Sequence, residues 1–187
     1  DYVNEQTQSQ YSALYRYGGD IELAKRLLAA GYPFIAEKGY YEKDFAGKVA
    51  WLGHYQFVTG YDDAKGIMVV QDTWNDGPNF KIKYADFSAG QAWLAFDGLF
   101  IVAYKPEDEA RLMSTLGSYA DPTWAAQHAL GVAEDRIKTS SGMDAYFAWF
   151  AKGTSHVALQ QYADAATAYD QAFAAYNQLG KDDKQRP

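Results

Sequence analysis

The chain has 187 residues, 48% of them hydrophobic, with a formal net charge of -7. That is enough for one large domain or two small ones, well outside the disordered range. The acidic balance leaves no basic stripe for nucleic acid, no apolar run reaches the roughly 18–20 residues of a membrane span, and zero cysteines exclude disulfides, thiolate metal sites and a thiol nucleophile within these residues.

Aromatic residues are abundant, with 16 Tyr, 10 Phe and 5 Trp, which favours thick cores and grooves with polar rims. No signal peptide is visible. The chain opens on Asp1 and ends on the polar run 181–187, so a parent protein is expected to continue at both ends.

Gly18-Gly19-Asp20 reads as a turn into a helix N-cap rather than a phosphate loop. From Asp20 to Ala30, Ile21, Leu23, Ala24, Leu27 and Leu28 share one face, and Gly31 follows the end. Tyr32–Glu37 reads as a strand with Pro33 near its start, and 39–50 as a loop. His54–Tyr61 and Ile67–Thr73 read as strands joined by Asp62–Gly66. Residues 74–79 carry turn signals, Phe80–Lys83 a short strand and Tyr84–Phe87 one helical turn. Gly98–Tyr104 is an apolar strand expected to be buried on both faces.

Beyond Pro106 all periodicity is helical. Helices are expected over 107–116, over 121–138 with Asp121 capping and Pro122 at the first position, and over 144–159 and 163–178. The short joint between the last two requires an antiparallel pair. The expected organisation is an α+β unit over 1–105 and an all-helical unit over 106–187.

Hairpin geometry gives the site. With Asp62–Gly66 as the loop, Tyr61 is expected opposite Ile67, and Gln56 opposite Asp72. Alternation then puts His54, Gln56, Val58, Met68, Val70 and Asp72 on one face. His54 lies one diagonal step from Asp72, within reach of its side chain. Such an aspartate orients an imidazole and leaves its second nitrogen as a general base.

The run Gly53-His54-Tyr55, Val58-Thr59-Gly60-Tyr61-Asp62-Asp63 and Gln71-Asp72-Thr73-Trp74 resembles the histidine–aspartate hairpin of papain-like cysteine peptidases of the bacteriocin-leader-processing type. The aspartate motif of that family reads Asn-Asp-Pro-Tyr; here Gln71-Asp72-Thr73-Trp74 stands in its place, without the Pro. The resemblance covers roughly residues 1–105. It implies a papain-like antiparallel sheet, His54 and Asp72 as catalytic residues, a peptide or protein substrate, no cofactor or metal, and a bacterial, exported or surface-anchored protein. It also implies a cysteine N-terminal to everything here, following an oxyanion-hole glutamine. Gln6, Gln8 and Gln10 do not fill that role, because no cysteine follows them. These 187 residues alone are therefore expected to be inactive by the cysteine mechanism.

Trp149, Gly153, Tyr162, Ala165, Tyr169 and Ala172 have a spacing that resembles the tetratricopeptide repeat. The resemblance implies small residues where two helices cross, Trp149, Tyr162 and Tyr169 filling the space between them, and a protein partner on the helices. Lys152, His156 and Asn177 depart from the pattern. The helix with Trp124 and His128 would belong to a degenerate repeat.

His128 and His156 lack ligand spacing and read as surface or packing residues, and Asp62-Asp63 reads as a turn rather than a calcium loop. Two functional readings stay open: a fragment of a cysteine-peptidase-like protein, and a non-catalytic protein-binding scaffold on a peptidase-derived fold. A third is a receptor that holds a peptide in the old substrate groove.

Overall fold

The computed structural model describes residues 2–43, 49–73, 77–88 and 97–180. A short helix α1 (Tyr2–Gln6) leads into strand β1 (Ser12–Arg16). Asp20, in extended backbone, then accepts from Leu23 N at 2.6 Å and starts α2 (Ile21–Ala29). The helix stops at Gly31, whose φ of 84 suits glycine. Strands β2 (Phe34–Lys43), β3 (Val49–Asp62), β4 (Ile67–Gln71) and β5 (Phe80–Lys83) follow, then α3 (Tyr84–Ser88) and β6 (Phe100–Tyr104). All pairings are antiparallel, and the sheet order is β1-β6-β2-β3-β4-β5.

The region expected to be a loop over 39–50 is instead mostly strand. β2 continues to Lys43 and pairs with Val49–Leu52 of β3, Tyr40 opposite Leu52 and Tyr41 opposite Trp51. Aromatic residues suit a pleated ladder, and this outweighs the Gly and Lys content that suggested a loop. Residues 44–48 lie outside the described residues, as do Trp74–Asp76 of the expected turn at 74–79.

The β3–β4 register also corrects the expectation. Tyr61 faces Met68 and Asp62 faces Ile67, one residue off. A bulge between Val58 and Gly60 leaves Thr59 extra, and Val58 then pairs with Val70 and Phe57 with Gln71. The bulge reverses parity, so Tyr61 packs against the core on one side of it while Val58 is fully buried on the other.

One sheet face is covered. Leu23 and Leu27 of α2 pack with Phe34, Val58, Met68, Val70 and Phe100. The other face leaves Tyr15, Tyr55 and Phe57 exposed. β6 is accordingly not buried on both sides: Phe100 and Val102 are inside, while Ala103 is exposed.

Past Pro106, a 3-10 turn (Pro106–Asp108) leads to α4 (Glu109–Leu116), and a second one (Gly117–Ala120) to α5 (Pro122–Thr139). Leu112, Leu116, Tyr119 and Ala125 join the same core as the sheet. Arg16 donates to the Tyr119 and Ala120 carbonyls, Arg26 to the Leu116 carbonyl, each at 3.1 Å, and Tyr119 Oη to the Gly18 carbonyl at 2.8 Å. Side-chain donors thus satisfy backbone carbonyls where these turns dock.

Helices α6 (Gly142–Ala158) and α7 (Tyr162–Asn177) build a second cluster from Tyr146, Phe147 and Ala172. Gly153 sits against the Tyr169 ring so closely that a Cβ there would fall 2.5 Å from a ring carbon. Tyr162, expected between the helices, is 65% exposed; it lies on the first turn of α7, and the small residues Ala165, Ala168 and Ala172 are buried instead.

Candidate functional site

His54 and Asp72 are placed by β3 and by the end of β4. The register Phe57↔Gln71 continues by one step to bring Gln56 opposite Asp72, on the buried face. His54 is two residues further along β3, on the same face by alternation. The sequence placed these three residues correctly because the bulge at Thr59 cancels the one-residue error at the turn.

His54 Nε2 lies 3.0 Å from Asp72 Oδ1. The Asp72 side chain is only 3% exposed and that of His54 16%. A carboxylate accepts but does not donate, so Nε2 carries the proton and Nδ1 is the basic nitrogen. The second carboxylate oxygen is also held: Gln56 Nε2 donates to Asp72 Oδ2, and Gln56 is fully buried. With one oxygen on the histidine and one on the amide, Asp72 has a single orientation available. Chemically, this arrangement fixes one imidazole tautomer and can accept a proton at Nδ1 from a group placed beside it.

Sequence reasoning placed Gln56 on this face but gave it no part. A buried amide on an otherwise apolar strand face was the available signal, because an amide is buried only with a partner. Lys38 of β2 is the register partner of His54 and therefore points to the same face.

The other polar groups singled out do not join the pair. Asp62 accepts from the Lys65 backbone N at 3.2 Å, within the β3–β4 turn. Asp63 takes Lys25 at 3.0 Å and the Tyr84 hydroxyl at 2.9 Å, and these partners, Lys25 first, hold its carboxyl below the ordinary range. His128 stacks on Trp124 with ring centroids 5.0 Å apart. His156 is buried and pairs through Nδ1 with Gln161 Oε1 at 2.7 Å, closing the turn between α6 and α7. Among the described residues no three His, Cys, Asp or Glu side chains gather where they could hold a metal ion, and no helix is long and apolar enough to cross a membrane.

Residues 1–100 match the model of the Peptidase_C39 like family. A crystal structure from Bacillus anthracis, provisionally named a C39-like peptidase, is similar at 18% identity with a TM-score of 0.39. That similarity covers 55% of this chain and 55% of that chain, so about half of that protein's length is spanned. No curated protein matches. With the family's model matched over more than half of its length, and an antiparallel sheet carrying a histidine–aspartate pair within that span, this chain belongs to the Peptidase_C39 like family.

Proposed function

We propose that His54 and Asp72 are the base and the orienting residue of a cysteine-peptidase site whose thiol is supplied from outside these 187 residues. The observation that carries this reading is the 3.0 Å contact between His54 Nε2 and a nearly buried Asp72 carboxylate. In it, Nδ1 takes the thiol proton, and the thiolate attacks a peptide carbonyl. The imidazolium then returns the proton to the leaving amine. Water, deprotonated by Nδ1, cleaves the thioester, and the thiol leaves with a proton from the imidazolium. Asp72 stabilises the imidazolium in both halves without itself becoming protonated.

The helices α6 and α7 form, in this reading, a tetratricopeptide-type hairpin that binds a protein partner. The close approach of Gly153 and Tyr169 supports it, as does exposure of Phe173 on α7, while the exposed Tyr162 departs from the repeat pattern. The test of the peptidase reading begins with the coding sequence upstream of Asp1. A Gln-and-Cys helix encoded there, with peptide hydrolysis lost in His54→Ala of that parent, would support it.

A second reading is a non-catalytic binding scaffold, favoured by the absence of any cysteine in this sequence. A parent without an upstream cysteine, or a parent that shows no peptide turnover, would leave the scaffold reading standing. Saturable peptide binding without turnover would favour the receptor form of it.

A further inference from the structure

Two apolar faces of the chain lie open to solvent. The first is the sheet face turned away from α2. Across its strands the ladder lines up Tyr15, Ile101, Ile35 and Phe57, one each from β1, β6, β2 and β3. Strand alternation puts all four on that face. Tyr15 is 59% exposed and Phe57 42%, with Tyr55 exposed beside them. The row contains no charged side chain, and interface centres are depleted of charge and enriched in aromatic residues.

The second is the side of the α6–α7 hairpin that carries Tyr146, Phe150, Tyr169 and Phe173. The ring centroids of Phe150 and Tyr169 are 5.1 Å apart, those of Tyr146 and Phe150 6.0 Å, and those of Tyr146 and Phe173 6.4 Å. Tyr169 and Phe173 are four residues apart and share one side of α7. Phe173 closes this cluster while 55% exposed.

The two faces adjoin. Tyr15 packs edge-on against Tyr17 with centroids 5.9 Å apart, and Tyr17 is close enough to Tyr169 for the two phenols to act on each other electrostatically. A sheet face is ordinarily buried against helices or a second sheet, and an apolar helix face needs a partner in turn. Here Leu23 and Leu27 of α2 pack on one side of the sheet only.

A second copy of the chain supplies both kinds of face at once. Turned about a two-fold axis, its hairpin lies on this sheet face while its own sheet face receives this hairpin, so each contact is made twice. The area agrees. An aromatic ring covers roughly 150–250 Å², so the exposed parts of Tyr15, Tyr55, Phe57 and Phe173 amount to about 300–500 Å². A monomer seldom leaves more apolar surface than this in one patch. Counted on both copies, and with the half-buried Tyr17, Ile35 and Ile101 between the rings, the area reaches the low end for specific pairs, about 1,000 Å².

We propose that two copies of this chain pair through these faces, the Phe173 side of each hairpin covering the open sheet face of its partner. The pairing rests neither on the repeat class of the helices nor on the peptidase reading. His54 stands on the opposite sheet face, two residues from the buried Gln56, so pairing leaves the His54–Asp72 site uncovered.

The test is sedimentation of the 187-residue chain over a concentration series. A reversible dimer with a Kd of roughly 10–100 µM is expected from an interface of this size. Each copy carries a net charge of -7, so added salt should tighten the dimer, whereas it would loosen a contact held by opposite charges. Phe57→Ser and Phe173→Ser should each weaken the dimer at least about tenfold. Both side chains are exposed, and an unchanged thermal melt of each variant separates lost pairing from lost folding. His54→Ala should leave the dimer as it is. A chain that stays monomeric up to about 500 µM, or a dimer that either Phe variant leaves unchanged, would overturn the inference.

Discussion

Gln56 of β3 donates to Asp72, the residue just past the end of β4, and its amide holds the carboxylate oxygen that His54 does not. β3 thus supplies both the histidine and the residue that fixes its orienting carboxylate. Gln56→Leu should leave Asp72 with one fewer donor in a buried site. A loss of roughly 1–3 kcal/mol in unfolding free energy is expected, the cost of leaving a buried polar group unsatisfied. Chemical denaturation measures it. The 15N spectrum of the His54 imidazole should show the Nε2–H tautomer less strongly favoured, which a purely packing role of Gln56 would not change.

Gly98 has a φ of 66, and a Cβ there would stand 2.7 Å from Gly19 N. The obstruction is backbone, which cannot rotate away, and the left-handed conformation adds strain. Gly98→Ala should cost about 3 kcal/mol or more. A loss under about 1 kcal/mol by denaturation would contradict this close approach.

Gly153 meets a side chain instead. Its added Cβ would reach within 2.5 Å of the Tyr169 ring. Gly153→Ala should cost about 1–3 kcal/mol by overpacking, despite alanine's better helix propensity. Tyr169→Leu in the same chain should recover part of that loss. A double-mutant cycle measures the coupling, and strict additivity would show that the two do not touch.

Asp97 is partly buried near Glu37, and burial first, then Glu37, pushes its carboxyl up to about 7. Above the ordinary carboxylate range the unfolded chain has lost this proton while the folded chain keeps it. The folded state then binds more protons, so stability falls as pH rises, and the full penalty is present above about pH 7. Asp97→Asn removes the penalty, and its side-chain oxygen can still accept from Leu99 N. The variant should be more stable by roughly 1–4 kcal/mol at pH 8 and close to unchanged near pH 4. Thermal melts at the two pH values decide it, and equal effects at both would count against the buried carboxyl.

Most elements were legible where one local rule dominates. α2 is set by Asp20 at its start, an apolar stripe through Leu23 and Leu27, and Gly31 after it. α5 is set by Asp121 and Pro122. β1 was not read, because Ser12–Arg16 is short and its ladder partner is β6, about ninety residues later. The 39–50 stretch was misread because its β pairing is a tertiary fact that composition there obscures.

The sequence by itself determined the acidic, cysteine-free composition, the change to helices after Pro106, and the resemblance of the His54–Asp72 hairpin to its family. Strand alternation, a local property of the backbone, was enough to put His54 and Gln56 on one face, and Asp72 joins them because the bulge offsets the shift at the turn. Only the tertiary structure decided that Gln56 takes the second oxygen of Asp72 and that a bulge at Thr59 restores the register. It alone brought Leu112 and Leu116 into the core of the sheet, and Tyr169 near Tyr17. Those relationships join residues distant in the chain through packing and exclusion of water, and no local pattern carries that information.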